Sequence, residues 1–285
     1  MTRIVFLIPY FGRWPFWMPL FVESCRLNPD IDWILYSDCG PLVDCPRNVQ
    51  VKPMSFKEYC ALVGQKLGID FLPASPYKLC DLKPAYGEIH AEDIAGYDFW
   101  GFGDIDLVYG RLRSYFTENR LVQYDFFSTH ERRVSGHLCL VRNEPRWNAL
   151  FRQVPDWAKR FASDRHEAFD EGAFTRLFIK HKNWPRALRR TADQFNRWRR
   201  RAEFVEAFST PNGVIPWIDG RKVFPKTWFW QQGALSNDLD GAHNFPYLHF
   251  IGFKGLWRSP VQCMPIETVP PDSRWRIGAE GIFRE

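Results

Sequence analysis

The chain opens on an unbroken apolar, β-branched run, Ile4 to Ile8, the pattern of a strand buried on both faces of a parallel sheet. The run stops at Pro9-Tyr10-Phe11-Gly12, a loop at the strand's carboxyl end. Pro15 then suits the start of an apolar helix reaching about Leu27 and ended by Asn28-Pro29. Asp32 to Ser37 reads as a second strand followed by the turn residues Asp38, Gly40 and Pro41, and Asn48 to Lys52 as a shorter third. Ser55-Phe56-Lys57-Glu58 is a capping box that opens a helix through about Leu67. A further helix over Pro84 to His90 precedes the strand Tyr97 to Tyr109.

This alternation predicts an α/β fold: an open, mostly parallel sheet flanked by helices and joined by right-handed crossovers. Beyond it, Phe126 to Val141 reads as strand, loop, strand, and Glu144 to Val154 and Glu167 to Lys180 as helices. Past Ser209 the Pro, Gly and Trp punctuation predicts a C-terminal region of hairpins and loops. The chain divides at about residue 125, with 1–125 forming a ligand-binding half and 126–285 completing the same domain. No internal repeat or low-complexity tract is visible.

In open α/β sheets ligands bind beyond the carboxyl ends of the strands. Three segments end there: Pro9 and Tyr10 with the residues up to Gly12, Tyr36 to Asp38, and Asp104-Ile105-Asp106. On a continuous strand Asp104 and Asp106 project from one side while Ile105 turns into the core. Two carboxylates held so close repel unless a cation joins them, and a hard divalent ion such as Mg²⁺ or Mn²⁺ is the simplest partner. By itself the triplet also fits a solvated acidic turn. His249, in Tyr247-Leu248-His249-Phe250, is a candidate third ligand through its neutral imidazole, against the plainer reading of a core histidine. Lys254 follows five residues on, placed for a diphosphate, and Gly252 lets backbone approach a ligand.

Charge and composition narrow the ligand. Net charge is +5 and the isoelectric point is about 8.8, which suits a phosphate-bearing ligand or an anionic membrane but is too weak to imply nucleic-acid binding. Aromatic residues make up 17% of the chain, including 13 Trp and 25 Phe, more than a generic core requires and consistent with sugar stacking, a membrane-facing surface or a heavily aromatic core. Cys25, Cys39, Cys45, Cys60, Cys80, Cys139 and Cys263 are scattered and odd in number, as expected for reduced thiols in a cytoplasmic protein. The first residues are too short an apolar stretch for a signal peptide, and no segment has the length of a membrane span.

The Asp104–Asp106 triplet resembles the Asp-x-Asp signature of sugar-nucleotide glycosyltransferases of the GT-A fold. The segment His249 to Trp257 resembles the His-x-x-Gly-x-x-Lys-Pro-Trp signature of family 8 glycosyltransferases, with one residue fewer before Lys254 and Gly255-Leu256 in place of Pro. Ile4 to Ser37, Tyr77 to Tyr109 and Tyr247 to Phe250 together look like a bacterial family of glycosyltransferases encoded in capsule and O-antigen polysaccharide clusters. That likeness leaves out Trp184 to Arg201. It implies a GT-A-like sheet and a nucleotide-sugar donor, with UDP the usual nucleotide in this fold and a saccharide or lipid-linked saccharide as acceptor. The divalent metal rests on the acidic pair, the cytoplasmic location on the cysteines and the lack of a signal or span, and contact with the inner membrane surface on the arginine-rich segment.

The resemblance also implies roles for single residues. Lys78 or Lys83 would approach the nucleotide or its phosphates, the alternative being exposed lysines at a helix start. Asp38 would accept from uracil or ribose, unless it simply forms a turn. Ser135-Gly136-His137 falls where such enzymes place a loop contacting donor sugar or acceptor. Asp170 or Glu171 would be the general base of an inverting enzyme or a sugar-binding carboxylate of a retaining one, with a solvated acidic face as the competitor. Outside the resemblance, the charge of Arg186, Arg189, Arg190, Arg197, Arg199, Arg200 and Arg201 suits anionic lipid or a lipid diphosphate, or else a helix face balanced by Asp193 and Glu203. Trp217, Trp228 and Trp230 are candidate platforms for an acceptor sugar, or hairpin core.

Two other functions compete. The fold could be kept by a catalytically silent carbohydrate-binding protein, which would be expected to lose an Asp or the His. A nucleotidyl- or phosphoryl-transfer enzyme could use the same acidic pair, but no Gly-rich phosphate loop follows the first strand.

Overall fold

In a computed structural model, residues 1–180, 184–211, 215–241, 243–259, 261–263 and 265–285 are described; for Arg186, Arg189 and Arg190 this extends to the backbone alone. The first half runs β1 (Ile4–Pro9), α1 (Met18–Arg26), β2 (Ile31–Ser37), β3 (Val49–Pro53), α2 (Phe56–Leu67), a 3₁₀ stretch (Pro76–Ala85), α3 (Tyr86–Ile89), β4 (Phe99–Gly103), β5 (Leu107–Tyr109), α4 (Leu112–Tyr115) and α5 (Glu118–Gln123). The second runs β6 (Phe126–Ser128), β7 (Leu138–Arg142), α6 (Pro145–Asn148), α7 (Trp157–Ala162), a π-helical turn (Asp170–Phe174), α8 (Thr175–Phe178), α9 (Arg186–Phe195) and β8 (Ala202–Phe204). β9 (Thr227–Gln231), β10 (Ala234–Asn237), β11 (Tyr247–His249), β12 (Arg274–Gly278) and β13 (Gly281–Arg284) follow.

The central sheet has the order β3-β2-β1-β4-β7-β6-β8. Its pairings are parallel except those that β7 makes with β4 and β6, so it is the mostly parallel, helix-flanked α/β sheet expected. β1 and β4 are buried on both faces because apolar clusters lie above and below them. Gly101 in β4 is required there: a Cβ would stand 2.4 Å from the Phe6 ring and 2.6 Å from the Cys139 carbonyl. The C-terminal region forms an antiparallel sheet, β10-β9-β12-β13, as the hairpin pattern predicted.

Three helices differ from expectation, each for a local reason. α1 begins at Met18 rather than Pro15, since Trp17 turns its indole to the Ile105 carbonyl (3.1 Å) and Phe16 packs on Trp257. The helix expected over Pro84 to His90 is α-helical only at Tyr86–Ile89, and Pro84 and Ala85 instead end a 3₁₀ stretch that starts at Pro76, because proline lacks the N–H that an α-helical ladder needs there. The helix expected from Glu167 starts only at Asp170: buried Asp81 accepts the N–H groups of Glu167 (3.0 Å) and Phe169 (2.9 Å), and Ala168 sits at φ 47°.

A third apolar cluster fastens the C-terminal sheet to the N-terminal half through Leu20, Val108, Trp228, Trp230, Leu248 and Phe250. Trp217, Trp228 and Trp230 lie in this cluster and are buried, which removes them as an acceptor platform; Trp230 donates to the Tyr109 carbonyl (2.8 Å). Among the described residues no helix is long and apolar enough to cross a membrane. All seven cysteines are unpaired, although only Cys25, Cys60 and Cys139 are buried.

Candidate metal centre

The acidic pair does not lie on one strand. β4 ends at Gly103, and Asp104-Ile105-Asp106 forms the link to β5. The link is held by the Asp104 N–H bonding to the His137 carbonyl (3.1 Å) and by Ile105 turning into the core. β11 then pairs antiparallel with β5, setting His249 opposite Leu107, and the Phe250 N–H bonds to the Asp106 carbonyl (2.9 Å). That register brings a residue 143 positions away to the carboxylates: His249 Nε2 is 3.2 Å from Asp106 Oδ2 and 3.9 Å from Asp104 Oδ2. One donor atom from each of Asp104, Asp106 and His249 falls within 4.8 Å of the others.

The donor set fits a divalent ion. Two carboxylates and an imidazole suit Mg²⁺ or Mn²⁺ and leave room for oxygen ligands from a substrate. The chain compensates the two carboxylates with lysines, Lys83 donating to Asp104 and Lys254 to Asp106. Burial works against the charge of Lys83, yet Asp104 beside it raises its pKa. Lys254 follows the same pattern through Asp106. Burial alone would push the Asp106 carboxyl up, but His249 and Lys254 hold it below the ordinary carboxylate range. Asp106 is therefore an ionised group in a 5% exposed residue, not the exposed carboxylate that the triplet suggests. Asp104 keeps 30% of its side chain open.

Asp170 feels the charges of both Lys83 and Asp104. It is buried in the π-helical turn, an irregularity that recurs at functional sites. A Cβ on Gly136 would lie 2.8 Å from its Oδ2 and 3.3 Å from Glu171 Oε1, so the glycine is what lets the loop close over both carboxylates. Lys83 donates to the carbonyl of that same glycine (2.7 Å). Burial raises the Asp170 pKa to about 7, against the pull of Lys83 and the Glu171 N–H. Glu171 is a third exposed and lies 3.4 Å from Arg133.

Other candidates fall differently. Lys78 is tied elsewhere: its buried ammonium pairs with Asp81 (2.9 Å) and donates to the carbonyls of Arg160 (2.8 Å) and Arg165 (2.6 Å). Asp38, exposed past β2, accepts from the Gly12 N–H (2.7 Å) and so ties together the loops after β1 and β2. Pro9 and Tyr10 lie at the same edge; Tyr10 stacks on Trp14 (5.7 Å) and donates to the Arg13 carbonyl (3.0 Å). Asp106 contributes to raising its pKa, after burial and Cys39.

His130 and Cys80 were not foreseen as parts of this site, and His137 was expected only within a loop contacting donor sugar or acceptor. The His137 ring lies 4.4 Å from that of His249, and burial with its histidine neighbours drives its pKa well down, leaving it neutral. His130, 4.9 Å from His137, pairs with Glu206 (3.0 Å). Cys80, on the 3₁₀ stretch, feels Lys83, Asp104 and Asp170 after burial, which pushes its thiol up to about 11. The pairing of Gly103 with Leu138 places His137 beside the acidic link, a relation visible only once β4 and β7 are registered.

Residues 6–258 match the model of a family of unknown function, DUF6625, and the chain belongs to that family. No curated protein matches it. It is similar to the solved galactosyltransferase LgtC in complex with donor and acceptor sugar analogues, at 12% identity over 94% of this chain and 98% of that one, with a TM-score of 0.42. It is also similar to mouse xyloside xylosyltransferase 1 in its apo form, at 12% identity over 76% and 89% of the chains and a TM-score of 0.40. A third similarity is to a glycosyltransferase involved in glycosylating the major capsid of PBCV-1, at 11% identity over 73% and 83% and a TM-score of 0.36.

Proposed function

We propose that this protein is a metal-dependent glycosyltransferase of GT-A-like fold that moves a sugar, in our reading a hexose, from a nucleoside-diphosphate donor to a saccharide or lipid-linked saccharide. The observation that carries the reading is the convergence of Asp104, Asp106 and His249 beyond β4, with Lys83 and Lys254 beside them. A divalent ion bound there supplies Lewis-acid compensation of charge on a departing diphosphate. Lys254, 44% open, is the ammonium free to swing toward that diphosphate, while Lys83, buried and held by Gly136, keeps Asp104 in place. Pro9, Tyr10 and Asp38 line the nucleotide end in this scheme, with UDP the nucleotide. Asp170 meets the donor sugar, and Glu171, more open, faces the acceptor. Residues 1–125 supply the nucleotide side and 126–285 the acceptor side. The protein would work in the cytoplasm, at the inner face of the membrane, in the synthesis of a bacterial surface polysaccharide such as capsule or O-antigen.

The test is a thermal-shift and calorimetric screen of nucleotide sugars with and without Mn²⁺, followed by detection of donor hydrolysis or transfer. A folded-state ligand raises stability by mass action, so the matching nucleotide stands out only with metal present. Metal-dependent binding without turnover on any acceptor would favour the silent carbohydrate-binding alternative. No nucleotide binding in either condition would remove the reading.

A further inference from the structure

The segment from Trp184 to Arg201 holds seven arginines against one aspartate, an excess of six. The whole chain has a net charge of +5, so everything outside this segment is slightly acidic. Its core is α9, where Leu188 and Phe195 are seven residues apart, close to two full turns, and therefore share one face. Among the described residues that face is open: Leu188 is 57% exposed and Phe195 is 86% exposed. The single acid, Asp193, instead lies 3.9 Å from Arg199.

The end of the helix is anchored. Asn196 donates to the carbonyls of Leu177 (2.8 Å) and Phe178 (3.0 Å), and Trp198 packs edge-on to Trp147 and donates to Gln153 (3.1 Å). The helix is thus presented from a fixed footing with its apolar stripe outward. Beside it, Arg142, Arg146 and Arg201 meet two carboxylates, Asp125 and Glu144, which leaves a local excess of one positive charge. Arg197 and Arg200 are exposed on the turn after the helix.

We infer that α9 and the basic turn after it form a docking surface for an anionic lipid bilayer, with Leu188 and Phe195 entering the headgroup–acyl boundary and the arginines meeting lipid phosphates. An interfacial helix needs an apolar face, a cationic surround and low overall hydrophobicity, and this one has all three. The charge pattern selects lipid over a protein groove: a helix that docked in a groove would need no excess of six positive charges, whereas an anionic surface attracts each basic residue. The inference gives a structural basis to the membrane location proposed above but not to the reaction, since no metal, nucleotide or sugar enters it, and so it can fail while the proposed transfer stands.

The test is flotation of the full-length protein, without metal or nucleotide, on vesicles of phosphatidylcholine alone and of phosphatidylcholine with roughly one third phosphatidylglycerol. Binding is expected only to the anionic vesicles and to weaken with salt. Arg197→Gln and Arg200→Gln should each reduce it about fivefold. The double variant Leu188→Ser with Phe195→Ser should reduce it more than about tenfold, from the lost apolar burial, with an unchanged melting temperature and unchanged transfer to a soluble acceptor. Absence of binding to the anionic vesicles overturns the inference, as does binding that the double variant leaves intact. Self-association of the native chain, abolished by that double variant and unaffected by lipid, also overturns it by assigning the face to a second copy.

Discussion

The ammonium of Lys254 donates to the carboxylate of Asp106 from 148 positions further along the chain. With Lys83 on Asp104, this gives each acidic residue of the cluster its own lysine. The arrangement separates two tasks that a positive charge performs at such a site. Against a divalent ion the lysine competes for the carboxylate, while for a diphosphate it is a partner.

Lys254→Met should therefore shift two affinities in opposite directions. Mn²⁺ alone should bind several-fold more tightly, because a charge-assisted hydrogen bond no longer has to be displaced. UDP in the presence of Mn²⁺ should bind about tenfold more weakly, from the loss of one ammonium near the phosphates. Calorimetry of each ligand reads both, and changes of the same sign would place Lys254 outside the phosphate contact.

The two aspartates should not respond alike to removal. Asp104→Ala strips the partner from Lys83, a buried ammonium whose side chain is only 7% exposed. A buried charge left unpaired costs about 3–5 kcal/mol. Denaturant titration should show a loss of that order, and the double variant Asp104→Ala with Lys83→Met should regain most of it while still failing to bind metal. If Asp104→Ala is as stable as the native chain, Lys83 has found another partner or water, and the ion pair is not what holds it.

Stability should also fall with rising pH through the titration of Asp170. Its carboxyl titrates near pH 7 in the folded protein, against 3.8 as its ordinary value, so the folded state keeps a proton that the unfolded chain has already lost. Between those values folding binds a proton, and stability is highest below about pH 4 and declines toward 7 as far as this group is concerned. Asp170→Asn should flatten that slope in the metal-free protein and make the variant the more stable of the two at neutral pH. Parallel melts from pH 4 to 8 check it. An identical slope in both proteins would mean that Asp170 is ionised throughout.

The parallel strands were legible because a strand buried on both faces announces itself in five or more consecutive apolar residues, as Ile4 to Ile8 do. The capping box at Ser55 is legible for a similar reason: it is a local hydrogen-bond pattern, and Ser55 and Glu58 form it as written. The link carrying Asp104 and Asp106 was read as strand because its residues alternate. What breaks the strand is non-local: the pairing of β5 with β11, which no periodicity near residue 104 records. Lys78 and Lys83 looked equivalent in sequence, five residues apart on one stretch. Only the fold shows that Asp81 and two carbonyls take the first, and that Gly136 and Asp104 take the second. The tryptophans past Ser209 are core because the third apolar cluster needed bulk to join two halves of the chain, a demand that composition does not reveal.

Asp170 and Glu171 are adjacent but differently placed, and this gives the final prediction its form. Asp170 is buried beside Gly136 and feels Lys83 and Asp104, and in the proposed scheme it is the carboxylate assigned to the donor sugar. Glu171 is a third open and faces Arg133, and the proposed scheme assigns it to the acceptor. If the enzyme inverts configuration, Glu171→Gln should lower kcat by roughly 10²–10⁴ while donor KM barely moves, because a general base acts chiefly in the transition state. Asp170→Asn should instead raise donor KM, since the amide keeps the shape but changes what the sugar hydroxyls meet. In a retaining enzyme Glu171→Gln should alter acceptor KM alone, and the larger loss should come from Asp170→Asn. The anomeric configuration of the product, read by NMR beside the kinetics, fixes which case applies. Should neither amide change rate or either KM, this turn is not part of the reacting site, and the carboxylate that serves the acceptor lies elsewhere.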